Sequence, residues 1–441
     1  MSISKFDFSQ KLNAPLFNAV NEYVGKKPAR FHMPSHKGVS GIPLYSSACY
    51  DVTELDFSDN LLQANGVIKE AEELIANKYG VDKALMCTGG ATSGLFATLY
   101  CVSQKTKKII LSKNSHKSIY NAMSVMGLTP CFCDVSYDDD GIPNVLSAND
   151  ILRSREKNPD AGAVLITSPD YFGRICDLEK IREASEGLLL VADAAHGGHF
   201  AYTKLLENRV ERIADVTVVS VHKTLNCYTG SAIVLCKNEF YRILCRGREL
   251  FHSTSPQYLS MISMDYSRAL FEKFGEKMYS DLKAKLGELN LTDFENYDFC
   301  KIMLRGGESL SDFLKDRGIY PECVYGDFVL LIATPFDMEN LEKVKKALVD
   351  FERGDFVQTK PQSYPKGVER VPFQDCFSRP IEYVPISQAV GRVLGAEVGL
   401  YPPGTPVFVR GEELSEEGVE FLLNWKKSLF GVDSDCICVL K

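Results

Sequence analysis

Gly187-Leu-Leu-Leu-Val-Ala-Asp193-Ala-Ala-His-Gly-Gly-His199 opens with an unbroken apolar run that stops on a carboxylate, and Asp215-Val-Thr-Val-Val-Ser-Val-His-Lys223 is a second run that stops on a lysine. Short continuous apolar runs of this kind are strands covered on both faces, the signature of a parallel sheet between helical layers. Outward from this pair the same rhythm continues. Toward the N-terminus, strands are predicted at Ala84–Cys87, Lys108–Ser112, Pro130–Asp134 and Ala163–Thr167, with helices over Gly66–Gly80, Thr92–Val102 and His116–Val125. Toward the C-terminus, Ser231–Leu235 is one more strand. Alternation of helix and strand over 170 residues predicts an α/β fold with a largely parallel central sheet.

After Leu235 the rhythm changes. Glu239–Lys285 reads as mostly helical, and a second α/β pattern follows: helix Glu308–Asp316, strand Asp327–Ala333 and helix Met338–Phe351. A Pro-rich, strand-poor stretch covers Gln358–Pro385, and the end holds a helix, a Tyr-Pro-Pro-Gly turn and a last helix over Ser415–Phe430. The 441 residues exceed one hydrophobic core. The expected division is an N-terminal segment over 1–60, a large unit over 61–290 and a smaller unit over 291–441 that includes a connection near 358–385. No internal repeat or low-complexity segment interrupts it.

Apolar content of 45% is that of a globular protein. No apolar stretch approaches the ~20 residues of a membrane span, and the first residues lack the basic start and apolar centre of a secretory signal. The net charge of −8 argues against nucleic acid or an anionic membrane as partner. Fourteen scattered cysteines, many inside apolar runs, form no zinc pattern; with no metal ligand set among them they read as buried thiols in the reducing cytoplasm.

In a parallel α/β sheet, ligands sit beyond the carboxyl ends of the strands, where Asp193 and Lys223 both fall. Singly, the first is an ordinary helix cap and the second a solvated lysine. Together they are the two groups that pyridoxal phosphate (PLP) requires: an amine to hold the aldehyde as a Schiff base and an acid to keep the pyridine nitrogen protonated. Cys87-Thr-Gly-Gly-Ala-Thr-Ser-Gly94 runs from a strand into a helix and offers free N–H groups and the hydroxyls of Thr92 and Ser93 to a phosphate. Alone it is equally a plain glycine turn, with neither the Walker lysine nor the GxGxxG spacing. Ser220 is a further phosphate candidate, and His116, opening a helix, could lie flat on a cofactor ring.

The chain resembles the fold-type I PLP decarboxylases of ornithine, lysine and arginine, in the shorter form without an N-terminal wing domain. The resemblance spans almost all of it: Phe31-His-Met-Pro-Ser-His-Lys-Gly38, Asp51-Val-Thr-Glu-Leu55, Gly66-Val-Ile-Lys-Glu-Ala71, Gly90-Ala-Thr-Ser-Gly94, Ser115-His-Lys-Ser118, Asp193-Ala-Ala-His-Gly197, Ser220-Val-His-Lys223 and Tyr401-Pro-Pro-Gly404. It implies the aspartate aminotransferase-like fold, with a smaller α/β C-terminal unit. It also implies Lys223 as Schiff base, Asp193 on the pyridine nitrogen and His116 stacked on the ring. Ala91, Thr92, Ser93, Ser220 and His222 would surround the phosphate, with His196 near the reacting centre. A homodimer or larger even homo-oligomer is implied in the same way. Ala194 stands where the family carries glutamate, Ser35 replaces a usual glycine, and Tyr228-Thr229 replace a Thr-Gln pair.

The resulting expectation is decarboxylation of a small basic amino acid to a diamine or agmatine, with Lys223 or His222 returning the proton to Cα. A distal cation needs a carboxylate, because an unpaired buried ammonium costs several kcal/mol; Asp170 and Glu412 are the candidates, though the plain reading of either is a solvent-exposed acid. An aminotransferase or another lyase on the same cofactor, and a non-catalytic PLP-binding relative, are the alternatives.

Overall fold

Seven short strands hydrogen-bond side by side in the order β1-β7-β6-β5-β4-β2-β3. They are β1 (Lys83–Cys87), β2 (Lys108–Ser112), β3 (Thr129–Cys133), β4 (Ala163–Thr167), β5 (Leu189–Asp193), β6 (Val216–Val219) and β7 (Ala232–Cys236). All run one way except β7, which is antiparallel to both neighbours. The central strands read as unbroken apolar runs because helices cover both faces. The computed structural model describes residues 12–38, 46–291, 297–351 and 364–441.

One face packs on α1 (Pro15–Gly25), α2 (Val67–Tyr79) and the later 32-residue helix α8 (Tyr258–Leu289); the other packs on α3 (Gly90–Ser103), α4 (Lys117–Met126) and α7 (Asn238–Phe251). Between them in sequence, α5 (Ala148–Lys157) and α6 (Leu178–Ala184) connect the strands of the first face. Local chemistry sets these boundaries. The Asp59 carboxylate accepts from the N–H groups of Gly66 and Ile68 at the entry to α2, and Ser147 and Asp150 form a reciprocal capping box on α5.

Beyond α8, β8 (Lys301–Arg305), β9 (Cys323–Tyr325) and β10 (Phe328–Ile332) form an antiparallel sheet in the order β8-β10-β9, backed by α9 (Gly307–Lys315) and α10 (Met338–Asp350). A third core joins this sheet to the C-terminal segments through Phe172, Met303, Tyr325, Phe328, Phe408 and Leu422. The largely parallel sheet matches the expectation. The C-terminal region differs from it. The last helix, α11, spans Glu416–Asn424 and stops well before Phe430, because Leu429–Phe430 pairs with Val398–Leu400 as a strand. Ile381–Pro385, inside the stretch expected to be strand-poor, pairs with Cys436–Leu440. Parts of the expected N-terminal segment (1–11 and 39–45) and of the Pro-rich connection (358–363) lie outside the described residues.

Candidate active site

The carboxyl ends of β4, β5 and β6 open into a cavity of about 770 Å³. Its lining gathers residues far apart in sequence: Ala91 and Thr92, His116, Asp170, Asp193 and His196, Ser220, His222 and Lys223, and Glu412. Ser93 is not among them; its hydroxyl turns back to donate to the Gly90 carbonyl at 3.0 Å.

Asp193 ends β5 and is only 3% exposed; its carboxylate accepts from the Ala195 N–H at 3.1 Å. Burial raises its pKa above the ordinary carboxylate value, while the nearby Lys223 pulls the other way. Lys223 sits in the single 3₁₀ turn Val221–Lys223 after β6, half-buried, and burial lowers its pKa against the opposing pull of Asp193 and Glu322. Its Nζ lies 3.2 Å from His196 Nε2, and His196 Nδ1 lies 2.9 Å from Lys301 Nζ on β8. Burial holds His196 well below the usual histidine range, with Lys301 and Lys223 adding to the effect. Its ring meets Tyr171 edge-on, centroids 5.1 Å apart.

His116 is the N-cap of α4, where its Nδ1 accepts from the Ser118 N–H. Burial first, then Lys223 and Lys117, lower its pKa to about 4. Gly404, from the Tyr-Pro-Pro-Gly turn, lies over this ring: a Cβ there would come within 3.1 Å of His116 Nε2, and the Gly404 carbonyl accepts from the Lys117 N–H at 2.9 Å. His222 faces the cavity with its tautomer fixed, since Nδ1 lies 2.9 Å from the Ser231 carbonyl, which can only accept. At the start of α3, Gly90 takes φ +68° and donates to the Gly230 carbonyl at 2.7 Å; the first-turn N–H groups that follow have no intrahelical acceptor.

The two acids expected to meet a distal cation both line the cavity, yet each is engaged within the chain. Asp170 Oδ1 accepts from the N–H groups of Phe172 and Arg174 at 2.9 and 2.8 Å, and burial lifts its pKa to about 6. Glu412 pairs with Lys113 at 2.7 Å and accepts from the Val409 N–H. Three groups of the site escaped the reading of the sequence, Glu322 and Lys113 on the cavity wall and Lys301 behind His196. Glu322, just before β9, accepts from the Tyr171 hydroxyl at 2.8 Å and gives no signal in its own stretch. Lys113 is a lone lysine after a strand. Lys301 does carry a signal: it is 1% exposed and opens the otherwise apolar run Lys301–Leu304.

Sequence models of the Orn/Lys/Arg decarboxylase major domain and C-terminal domain match residues 14–290 and 361–429. The chain belongs to the Orn/Lys/Arg decarboxylase family. It is 29% identical to the uncharacterized protein YaaO of Bacillus subtilis, covering 93% of this chain and 94% of that one. It is 25% identical to the arginine decarboxylase of the same organism, over 92% of each. Among solved structures, the Francisella novicida lysine decarboxylase LdcF superposes with a TM-score of 0.80 over 98% of this chain and 82% of that one, at 16% identity. The fold is that of the fold-type I PLP enzymes, and PLP-dependent carbon–carbon lyase chemistry on an amino acid goes with the family.

The cavity's own groups fit that cofactor. A carboxylate buried as deeply as Asp193 needs a cationic partner, which a protonated pyridine nitrogen provides. A helix N-terminus with Thr92 beside it, facing Ser220 and His222, is an anion cradle. Lys223 is the amine between the two.

Proposed function

We propose that this chain decarboxylates a basic amino acid (lysine, ornithine or arginine) to the corresponding diamine or agmatine and CO₂. The observation that carries the reading is the convergence of Asp193, Lys223, His116 and the start of α3 on one cavity, in a chain of this family. Lys223 would hold the cofactor and Asp193 a proton at its ring nitrogen. His116 would lie on the ring face, with Ala91, Thr92, Ser220 and His222 at the phosphate. Bound there, PLP supplies an electron sink conjugated to Cα. The chain's task is then to position the α-carboxylate, keep water out and return a proton to Cα, with Lys223 or His222 as donor.

The same reading assigns the distal cation to Glu322. Asp170 Oδ1 takes two backbone N–H groups, and both Glu412 oxygens take Lys113 with the Val409 N–H on one of them, whereas Glu322 accepts from one hydroxyl through one oxygen. Similarity to the arginine decarboxylase of Bacillus subtilis supports a basic substrate. A cytoplasmic homodimer or larger even oligomer completes the proposal; Phe31 and Met33, 95% and 66% exposed, favour a covered N-terminal segment.

Incubation with each of the three amino acids tests the activity: CO₂ and the matching amine are expected, and keto acid in their place would mean transamination. Borohydride reduction of the yellow protein should fix the cofactor on Lys223. An adduct on any other lysine would overturn the site.

A further inference from the structure

Two lysines flank one imidazole. Lys301 Nζ lies 2.9 Å from Nδ1 of His196 and Lys223 Nζ lies 3.2 Å from its Nε2. A neutral imidazole has one N–H and one lone pair, so it can accept from one ammonium only. The other nitrogen must donate, and the lysine that receives that proton must offer a lone pair. One lysine of the pair is therefore an uncharged amine.

The surroundings decide which. Lys301 is itself fully buried, and burial together with Lys223 lowers its pKa; Asp298, whose carbonyl accepts from the Lys301 N–H at 3.0 Å, pulls the other way with Glu322 and Cys300, and the Tyr171 ring lies 5.8 Å from its ammonium. Asp298 is fully buried and is held below the usual carboxylate range by His199, 3.1 Å away, and by Lys301. Its other oxygen, Oδ2, is buried without a hydrogen-bond partner. Burial opposes the charge on Asp298, yet His199 and Lys301 outweigh it, so the acid beside Lys301 favours its anionic form. The acid facing Lys223 is Asp193, which burial pushes toward its neutral form, with Glu322 as the second acid. His116 and His199 add only weak repulsion at His196. His199, Asp298 and Cys300 also approach one another within 4.8 Å in the manner of a metal site. The hydrogen-bonded His199–Asp298 pair instead places a carboxylate beside Lys301.

We infer that Lys301, acting through His196, keeps Lys223 an uncharged amine in the cofactor-free site. Lys301 donates to Nδ1, which places the ring proton on Nε2 and leaves Lys223 to accept it. An uncharged amine is the form that adds to a carbonyl, so Lys301 is a positioning residue for capture of the cofactor aldehyde. The inference rests on the proposed role of Lys223.

Competitive labelling of the cofactor-free full chain with trace acetic anhydride, read by peptide mass spectrometry, reports how much of Lys223 is uncharged. At pH 8, Lys301→Met should reduce acetylation of Lys223 about tenfold, because His196 is then free to accept from a Lys223 ammonium. Lys301→Arg, which keeps the charge and the donor, should retain most of the labelling, and surface lysines should not change. Unaltered labelling of Lys223 in folded Lys301→Met would overturn the inference. The parent protein gives a second reading that needs no variant at position 301: ¹⁵N-histidine NMR, assigned with His196→Gln, should show His196 protonated at Nε2, and protonation at Nδ1 would refute it. Borohydride trapping separates the two levels. An adduct away from Lys223 removes the site itself, whereas an adduct on Lys223 with unaltered labelling removes only the part played by Lys301.

Discussion

At the scale of single residues, the site is a set of ionisable groups kept out of water, and burial sets their behaviour. Asp193 is the clearest case, because its charge in the loaded enzyme depends on a cationic partner across the cavity. Asp193→Asn keeps shape and volume but cannot hold a ring nitrogen protonated. We expect the variant to retain cofactor, seen in its visible absorbance, while kcat falls by about 10²-fold or more; a near-parental kcat would mean that another group serves the ring nitrogen. His116 allows a test without cofactor. Its pKa is held near 4 in the folded chain against 6.5 for the free side chain. Between those values the unfolded chain binds a proton that the folded one refuses. The contribution to stability is thus complete above pH 6.5 and is lost as pH falls toward 4, by at most about 3 kcal/mol. Asp170, whose pKa is raised to about 6, has the opposite sign, giving stability at low pH that is lost as pH rises through 6. It is present in both proteins when parent and His116→Gln are compared. Urea unfolding of the cofactor-free chain at pH 7.5 and 4.5 should show a smaller acid loss in His116→Gln than in the parent; equal losses would contradict the assignment.

At the scale of elements, α3 carries the anion cradle and is held to its place by missing side chains. A Cβ on Gly94 would come within 3.0 Å of Val218 and 3.1 Å of Val234 on the sheet, and one on Gly247 of α7 would lie 2.8 Å from the Ala97 carbonyl oxygen. Backbone cannot yield as a flexible side chain can, so Gly247→Ala should cost roughly 1–3 kcal/mol and weaken cofactor binding by displacing α3. Gly287→Ala in α8, where nothing lies within 4 Å, should instead add about 0.5–1 kcal/mol through helix propensity. Chemical denaturation and cofactor titration of both variants check the pair. These helices and the strands between them were legible in the sequence because apolar spacing repeats within each element, and β4, β5 and β6 are buried on both faces. The C-terminal strands were not. Ile381–Pro385 has an alternating, half-exposed pattern, and its partner Cys436–Leu440 is supplied by the end of the chain. The last helix was read too long because the apolar Leu429-Phe430 extends its pattern, while a strand pairing with Val398–Leu400 claims those residues.

At the scale of the whole molecule, the cavity is closed by segments that meet only through folding, and this decides which acids are available to a substrate. Asp193 and Lys223 could be read from their strand ends, since a parallel sheet always presents those ends to one side. The partner of a distal cation could not, because an acid's availability depends on what else reaches it. Lys113, 299 residues away in sequence, takes Glu412. Their pair bridges the central sheet unit and the C-terminal segments, with side chains 19% and 10% exposed. Removing one partner of a fully buried pair costs ~3–5 kcal/mol; the residual exposure here lowers that to about 1–3 kcal/mol. Glu412→Gln should therefore lower stability, and any loss of activity should be equal for lysine, ornithine and arginine. Glu322→Gln should do the reverse, leaving stability within about 0.5 kcal/mol because the side chain is exposed. It should reduce kcat/KM by at least about tenfold for the substrate whose cation it meets, at unchanged cofactor occupancy. Side-by-side measurement of unfolding midpoints and of kcat/KM for the three amino acids separates a structural acid from a recognition acid. A selective kinetic loss in Glu412→Gln, with Glu322→Gln behaving as the parent, would exchange the two roles and require Lys113 to release Glu412 when substrate binds.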